Sequence, residues 1–242
     1  MSGKLYIGTS GYSYPHWVGS FYPQDLKRDK WFEYYAERFN TVEINYTFYH
    51  IPKESTLDKW KKIAPKDFVY ALKASRLITH TRNWNSARFL LWKFLKLSEN
   101  LKNARGPVLL QFPPGFKDED IFYNLIENIK KEQRVAVEFR NKSLIENEIV
   151  RSKLSERNIA FCISSSPKIK PHFVITADFV YIRFHGAKSM YRSSYSDEEL
   201  VPFADFCKKV LAQGIDVFAY FNNDVEGYAV ENAMRLRGMI LS

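Results

Sequence analysis

The sequence predicts an α/β fold, a (β/α)8 TIM barrel, as one domain over residues 1–242. Three observations predict it. The length of 242 residues is close to the roughly 250 that are typical of this barrel, and 45% hydrophobic residues can fill one sizeable core. Eight short apolar segments read as strands, and most connections between them have the spacing of helices. Because strands and helices alternate along the whole chain, the strands are expected to be parallel.

The eight predicted strands are segments rich in apolar, β-branched and aromatic residues. They are Leu5–Gly8, Val42–Asn45, Phe68–Lys73, Val108–Phe112, Val135–Phe139, Ala160–Ser164, Phe179–Phe184 and Val217–Phe221.

The helices are predicted from apolar residues at helical spacing and from capping residues. The strongest case begins at Ser196, where Ser-Asp-Glu-Glu forms a capping box and Gly214 supplies the stop. The sixth connection is the exception, because Pro167 and Pro171 lie between the sixth and seventh strands. We therefore expect the sixth helix to be irregular or missing. The other predicted helices are Lys30–Phe39, Leu57–Ile63, Ser86–Glu99, Glu119–Lys131, Glu146–Arg157 and Gly227–Ile240.

Composition narrows the class of protein. The sequence has no apolar stretch long enough for a membrane span and no signal-peptide pattern, so we expect a cytoplasmic protein without membrane contact. A formal net charge of +9 favours anionic partners, including nucleic acid, although scattered surface lysines give the same total. The two cysteines, Cys162 and Cys207, lie in apolar settings and are interpreted as core thiols.

Strand alternation separates the residues that face the helices from those that face the barrel interior. In several strands one set is apolar and the other holds the charged residues, mostly late in the strand. Barrel enzymes place their catalytic residues at this carboxyl end. The predicted inward set comprises Glu43, Asn45, Lys73, Ser75, Gln111, Glu138, Arg140, Ser164, Arg183, His185, Tyr220 and Asn222.

Seven segments of the chain resemble a known family. They are Ile7–Tyr14, Thr41–Tyr49, Lys73–His80, Leu109–Pro114, Val137–Arg140, Tyr181–Gly186 and Tyr220–Asp224. Together they are similar to the YecE-like family, domain of unknown function 72. The resemblance implies a TIM barrel and implies no reaction, because the activity of that family is not established. The strand-end residues of the family match this sequence at Glu43, Asn45, Lys73, Gln111, Glu138, Arg140, Arg183, His185 and Asn222.

The leading functional hypothesis is an enzyme, a hydrolase or lyase, acting on a small anionic substrate that carries phosphate. Glu138 is the expected general acid or base, with His185 as its proton-transfer partner. Lys73 and Arg183 would stabilise negative charge, and Glu43 completes the candidate catalytic set. Substrate-binding roles are assigned to Ser10, Asn45, Ser75, Gln111, Arg140, Arg183, Tyr191, Tyr220 and Asn222.

Four alternatives remain open at this level. The inward charges could form a structural layer of ion pairs in which Glu43 and Glu138 neutralise Lys73 and Arg183. Lys73 could form a Schiff base in a lyase. No cofactor or metal is predicted, and a divalent ion at Glu43, Glu138 and His185 is kept as an alternative. Finally, the protein could be a nuclease or bind nucleic acid through loops Tyr12–Trp17 and Thr81–Trp84, unless their tryptophans pack against the barrel. The sequence does not indicate an oligomeric state.

Overall fold

The computed structural model describes residues 2–242 and has the predicted (β/α)8 barrel fold. All eight predicted strands form, with small shifts at their ends. They are β1 (Leu5–Thr9), β2 (Thr41–Ile44), β3 (Val69–Lys73), β4 (Arg105–Gln111), β5 (Val135–Glu138), β6 (Ala160–Ser165), β7 (Phe179–Phe184) and β8 (Asp216–Phe221).

The strands form one sheet in the order β1-β8-β7-β6-β5-β4-β3-β2. The paired strands run parallel, as the alternation of strands and helices requires. Beyond the end of β1, Ser10 forms an isolated parallel bridge with Glu43 of β2. The Gly11 N–H also donates to the Glu43 carbonyl at 2.8 Å. These contacts join the first strand to the second, so the sheet is nearly closed.

Ten α-helices occupy the connections within residues 2–242. They are α1 (Trp31–Ala36), α2 (Tyr46–Tyr49), α3 (Glu54–Ile63), α4 (Arg76–Thr79), α5 (Trp84–Ser98), α6 (Glu119–Ile126), α7 (Lys142–Ile145), α8 (Glu148–Glu156), α9 (Asp197–Ala212) and α10 (Tyr228–Leu241). Short 3-10 turns cover Pro15–Trp17, Arg28–Lys30, Glu99–Ala104 and Val225–Gly227.

The capping box predicted at Ser196 is confirmed. The Glu199 N–H donates to Ser196 Oγ at 3.3 Å, and Ser196 N–H donates to the Glu199 carboxylate at 2.8 Å, which completes the capping box before α9. As expected, the described residues 166–178 between β6 and β7 contain no helix. The short helices α2, α4 and α7 were not predicted from the sequence, because four residues span about one helical turn and show no periodicity.

Two compact units can be distinguished by their internal contacts. The first comprises the residues up to Glu43, with Ile163–Phe173 and Phe179–Ser242. Its core includes Phe184 of β7, which stacks on Phe221 of β8 with ring centroids 4.1 Å apart. Phe203 of α9 packs against the same Phe184 ring at 4.7 Å.

The second unit comprises Ile44–Cys162 and Val174–Asp178. Its core contains Phe112 and Phe139, which follow β4 and β5 directly and stack at 5.6 Å. Phe122 of α6 packs edge-on against Phe139 at 5.0 Å, so the helix is anchored just behind the carboxyl ends of these strands.

No helix within residues 2–242 is both long and apolar enough to cross a membrane.

Candidate functional site

The first unit holds a fully buried carboxylate at the end of β2. Glu43 Oε1 accepts hydrogen bonds from the Arg183 guanidinium at 2.7 Å and from Ser10 Oγ at 2.6 Å. Its other oxygen, Oε2, accepts from the Tyr181 hydroxyl at 2.6 Å. The side chains of Glu43 and Arg183 are 0% and 1% exposed. Four predicted or neighbouring strand residues thus form one sealed cluster, which we call the Glu43 centre.

The ionised form of Glu43 is strongly favoured in this centre. Burial by itself would raise the pKa of the carboxyl group. The Arg183 charge and the donors from Ser10 and Tyr181 outweigh it and hold the pKa of Glu43 below its ordinary value. A carboxylate with these three donors and no exposed surface is suited to fixing the positions of β1, β2 and β7. These features correspond to the structural ion pair considered from the sequence.

Tyr220 belongs to the interior of the same unit. It is the register partner of Arg183 on β8, so both side chains point to the same face of the sheet. The Tyr220 and Thr41 hydroxyls lie 2.8 Å apart. Since Tyr220 is 0% exposed, its hydroxyl has no surface to offer a substrate.

His185 and Asn222 meet beyond the ends of β7 and β8. The Asn222 amide Nδ2 lies 3.3 Å from His185 Nδ1, and in this orientation the amide donates, which leaves the proton of a neutral imidazole on Nε2. The Tyr191 ring, 40% exposed, contacts the imidazole edge-on at 5.8 Å. The structure therefore brings together three predicted residues, with His185 itself fully buried.

A strained turn holds Tyr191 against His185. Tyr191 has φ of +65°, and its N–H donates to the His185 carbonyl at 2.6 Å. Gly186 has φ of +99°, where a Cβ would lie 2.3 Å from the Ser189 carbonyl oxygen. Only glycine fits this position, so the loop after β7 has one tightly defined path.

The second unit holds another acidic and basic pair, at the end of β5. The Arg140 guanidinium lies 2.8 Å from Glu138 Oε1. Gln111 on β4 is the register partner of Glu138, so the two side chains share a face. The Gln111 amide donates to the Phe112 carbonyl at 3.1 Å. Glu138 is 0% exposed, whereas the Arg140 side chain is 9% exposed and Gln111 is half-buried.

Lys73 ends β3 in the same unit. Its ammonium lies 4.2 Å from the centre of the Phe48 ring on α2, a cation–π contact. The Thr47 hydroxyl donates to the Lys73 carbonyl at 2.7 Å and fixes α2 to this strand end. Lys73 is half-buried, so its charge is held in place while part of the side chain still reaches solvent.

His80 belongs to this region, although it was not among the candidate residues predicted from the sequence. Its ring contacts Phe48 edge-on at 5.1 Å, and Nδ1 lies 2.9 Å from the Thr79 hydroxyl. Burial, together with the charges of Lys73 and Arg76, lowers the pKa of His80. The imidazole is consequently neutral near pH 7 and lies among cations. Its signal in the sequence was the close spacing of Lys73, Arg76 and His80 along the chain. We call the group of Phe48, Lys73, Arg76 and His80 the Lys73 cluster.

Two remaining predicted residues also lie in the second unit. Ser75 is buried and caps α4, accepting from the Leu77 N–H at 3.4 Å, which accounts for its position without a ligand. Asn45 precedes α2, and among the described residues its side-chain oxygen is buried and has no hydrogen-bond partner. Such an oxygen is costly to bury and can accept a hydrogen bond from a ligand.

The two loop tryptophans and the two cysteines named from the sequence are at least half-buried. Trp17 is 0% exposed, so its ring is not available for base stacking, whereas Trp84 is half-buried and packs against Phe116 with ring centroids 5.1 Å apart. Cys162 and Cys207 are buried, and burial raises the pKa of Cys207 to about 12. Within residues 2–242, no three His, Cys, Asp or Glu residues are grouped so as to hold a metal ion.

Comparison with known proteins gives a consistent family match. The sequence profile described as "Protein of unknown function DUF72" matches residues 6–241. UPF0759 protein YunF of Bacillus subtilis is 28% identical, in an alignment that covers 96% of this chain and 93% of that protein. UPF0759 protein YecE of Escherichia coli is 26% identical over 77% of this chain and 75% of its own.

A solved structure also matches nearly the whole chain. The DUF72 family protein TM1631 of Thermotoga maritima superposes with a TM-score of 0.87 at 27% identity, covering 99% of this chain and 100% of its own. This agreement supports the barrel, and neither the names nor the structure state a reaction or a substrate.

Proposed function

This chain belongs to the protein family of unknown function DUF72, and from its geometry we propose that it is an enzyme acting on an anionic, phosphate-bearing substrate. The proposed substrate site is the carboxyl end of β3 and β5 in the second unit. The observation that carries the proposal is the Lys73 ammonium of a half-buried side chain, held 4.2 Å from the Phe48 ring near Arg76 and His80.

Two cationic side chains act on one imidazole in this region. Lys73 and Arg76 both lower the pKa of the His80 imidazole. An anion that binds near both charges is attracted to them. A phosphate group can do this, because ammonium and guanidinium groups are its usual partners in proteins.

Glu138 is the proposed general acid or base. It ends β5, where barrel enzymes place catalytic side chains, and Arg140 lies 2.8 Å from one of its oxygens. The guanidinium can orient the carboxylate and also bind a second anionic group of the substrate. Lys73 would stabilise negative charge that develops on the substrate.

The contact of Lys73 with Phe48 bears on the Schiff-base alternative. A ring face 4.2 Å from the ammonium stabilises the charged form of the lysine. A Schiff base requires the neutral amine. The geometry therefore favours an electrostatic role for Lys73 over an imine.

Binding measurements test the substrate class. We expect isothermal titration calorimetry to detect ribose 5-phosphate binding to the wild type and to find it weakened at least tenfold in Lys73→Met. Lys66→Met removes an exposed lysine in the same unit and serves as the matched control, with unchanged affinity expected. Absence of binding to the wild type, or equal affinity in Lys73→Met, would contradict the proposal.

Turnover separates binding from catalysis. Phosphorus NMR on a panel of sugar phosphates and nucleotides should show conversion of at least one compound by the wild type. The variant Glu138→Gln should bind that compound and fail to convert it, because the amide cannot transfer the proton. Conversion at the wild-type rate by Glu138→Gln would remove Glu138 from the mechanism.

A further inference from the structure

Four large apolar side chains are exposed on the connections that follow β2 and β3. Tyr46 and Tyr49 lie on α2 and are 54% and 64% exposed, Ile51 follows them at 37%, and Leu77 of α4 is 56% exposed. None is needed to fill the core at that exposure. Exposed apolar surface that adjoins charged groups commonly marks a place where a ligand or partner binds.

This apolar surface adjoins the Lys73 cluster through one ring. Phe48 contacts Tyr49 at a centroid distance of 5.1 Å and His80 at 5.1 Å, and the Lys73 ammonium lies 4.2 Å from the same ring. Exposed aromatic surface and cationic groups are thus parts of one local arrangement on α2, the end of β3 and α4.

The exposed rings favour a flat partner. Tyr46 already lies against the His50 ring at 5.0 Å with an angle of 31° between the planes. Tyr49 is perpendicular to Phe48, at 90°, so its own face is not covered by that neighbour. Aromatic faces of this kind stack with nucleobases regardless of sequence, and adjacent cations take the phosphate. A sugar phosphate supplies the charge and offers no planar apolar face for the tyrosine.

We infer that the anionic substrate is a nucleotide, with its phosphate on the Lys73 cluster and its base stacked on Tyr49. This inference rests on the proposed function and makes its substrate class specific. The same chemistry is present in a free mononucleotide and at the phosphorylated end of a nucleic-acid strand, and both are included in the test.

Calorimetry with AMP and ribose 5-phosphate isolates the contribution of the base. We expect AMP to bind the wild type about tenfold more tightly than ribose 5-phosphate, equivalent to about 1.4 kcal/mol. Tyr49→Ala should remove this preference and leave ribose 5-phosphate binding unchanged. Tyr49→Phe should keep the preference, because it keeps the ring.

Phe89→Ala is the matched control. Phe89 is 61% exposed on α5 in the same unit, close to the 64% of Tyr49, and its removal should change neither affinity. Both substitutions remove mainly exposed surface, so both variants are expected to fold.

The outcomes distinguish this inference from the proposed function. Equal binding of AMP and ribose 5-phosphate, with both lost in Lys73→Met, would overturn the nucleotide inference and leave the phosphate site intact. A preference for AMP that persists in Tyr49→Ala would also overturn it. If neither compound binds the wild type, or if Lys73→Met binds both normally, the proposed function fails and the inference fails with it.

A 5′-phosphorylated oligoadenylate identifies the source of the nucleotide. Tighter binding of the oligonucleotide than of AMP, lost in Tyr49→Ala, supports a strand end as the natural ligand. Equal binding of the two supports the free nucleotide.

Discussion

Two pairs of glutamate and arginine stand at strand ends in this chain, and their surroundings differ. Glu43 and Arg183 lie 2.7 Å apart in the first unit, with side chains 0% and 1% exposed. Glu138 and Arg140 lie 2.8 Å apart in the second unit, where the arginine is 9% exposed and Lys73 and Gln111 are half-buried. The two pairs therefore have nearly equal pairing distances and differ in the exposure of the arginine. We propose that the more accessible arginine of the second pair serves a ligand, whereas the first pair is structural.

The largest expected effect comes from breaking the sealed pair. Arg183→Met leaves the Glu43 carboxylate buried without its cation, which should lower the free energy of unfolding by about 3–5 kcal/mol. Urea unfolding followed by circular dichroism measures the change. Arg192→Met, which removes an exposed arginine of the same unit, should stay within about 0.5 kcal/mol of the wild type. Similar losses in the two variants would show that the Glu43 centre is not the structural element described.

A smaller effect should follow from removing a single donor to Glu43. Tyr181→Phe deletes the hydroxyl that lies 2.6 Å from Oε2, and a hydrogen bond to a charged group contributes about 1.5–3 kcal/mol. Tyr220→Phe is the control, because its hydroxyl pairs with the neutral Thr41 hydroxyl and should contribute about 0.5–1.5 kcal/mol. If Tyr220→Phe destabilises the protein more than Tyr181→Phe, the charge of Glu43 does not dominate this network.

The Glu43 centre should also make stability depend on pH. Because the pKa of Glu43 is lower in the folded protein than the ordinary value of 4.5, folding favours the ionised carboxylate. Its stabilisation is complete above that ordinary value and is lost as the pH falls through the lower folded pKa. Urea unfolding between pH 7 and pH 3 should show this loss in the wild type and a shallower dependence in Glu43→Gln. Parallel curves for the two proteins would contradict the assignment.

Stability should respond least to changes in the Lys73 cluster. Lys73→Met removes a cation–π contact that contributes about 0.5–1 kcal/mol at exposed sites, and it keeps most of the side-chain volume. The free energy of unfolding should therefore change by less than about 1 kcal/mol. A loss comparable to that of Arg183→Met would show that Lys73 has a structural role like that of Arg183.

The strands and the inward polar residues were predictable because side chains alternate between the two faces of a strand. Alternation along β7 and β8 placed Arg183 and Tyr220 on one face, and the register of these strands confirms it. The start of α9 at Ser196 and the absence of a helix after β6 were likewise predictable, because residues in the local sequence determine them. In contrast, α2 and α4 are too short to leave a periodic signal, and they position Phe48 and His80 beside Lys73.

The sequence also could not separate the roles of Glu43 and Glu138. Both end strands in similar apolar settings, and both were expected near Lys73 and Arg183. What distinguishes Glu43 is the set of three donors from Ser10, Tyr181 and Arg183, which come from distant parts of the chain. Tyr181 in particular was not among the candidate residues, because a tyrosine inside a strand is typical of ordinary core packing.

The anion site at the Lys73 cluster is tested most directly by measuring the pKa of His80 by NMR, with and without sulfate, in the wild type and in Lys73→Met. Sulfate stays fully charged near neutral pH and is a stand-in for phosphate, and sodium chloride at matched ionic strength controls for screening. Since burial, Lys73 and Arg76 lower this pKa, an anion bound beside them should raise it, and Lys73→Met should raise the starting value and weaken the response to sulfate. A His80 pKa that ignores sulfate in the wild type, or responds equally in Lys73→Met, would contradict an anion site at the Lys73 cluster.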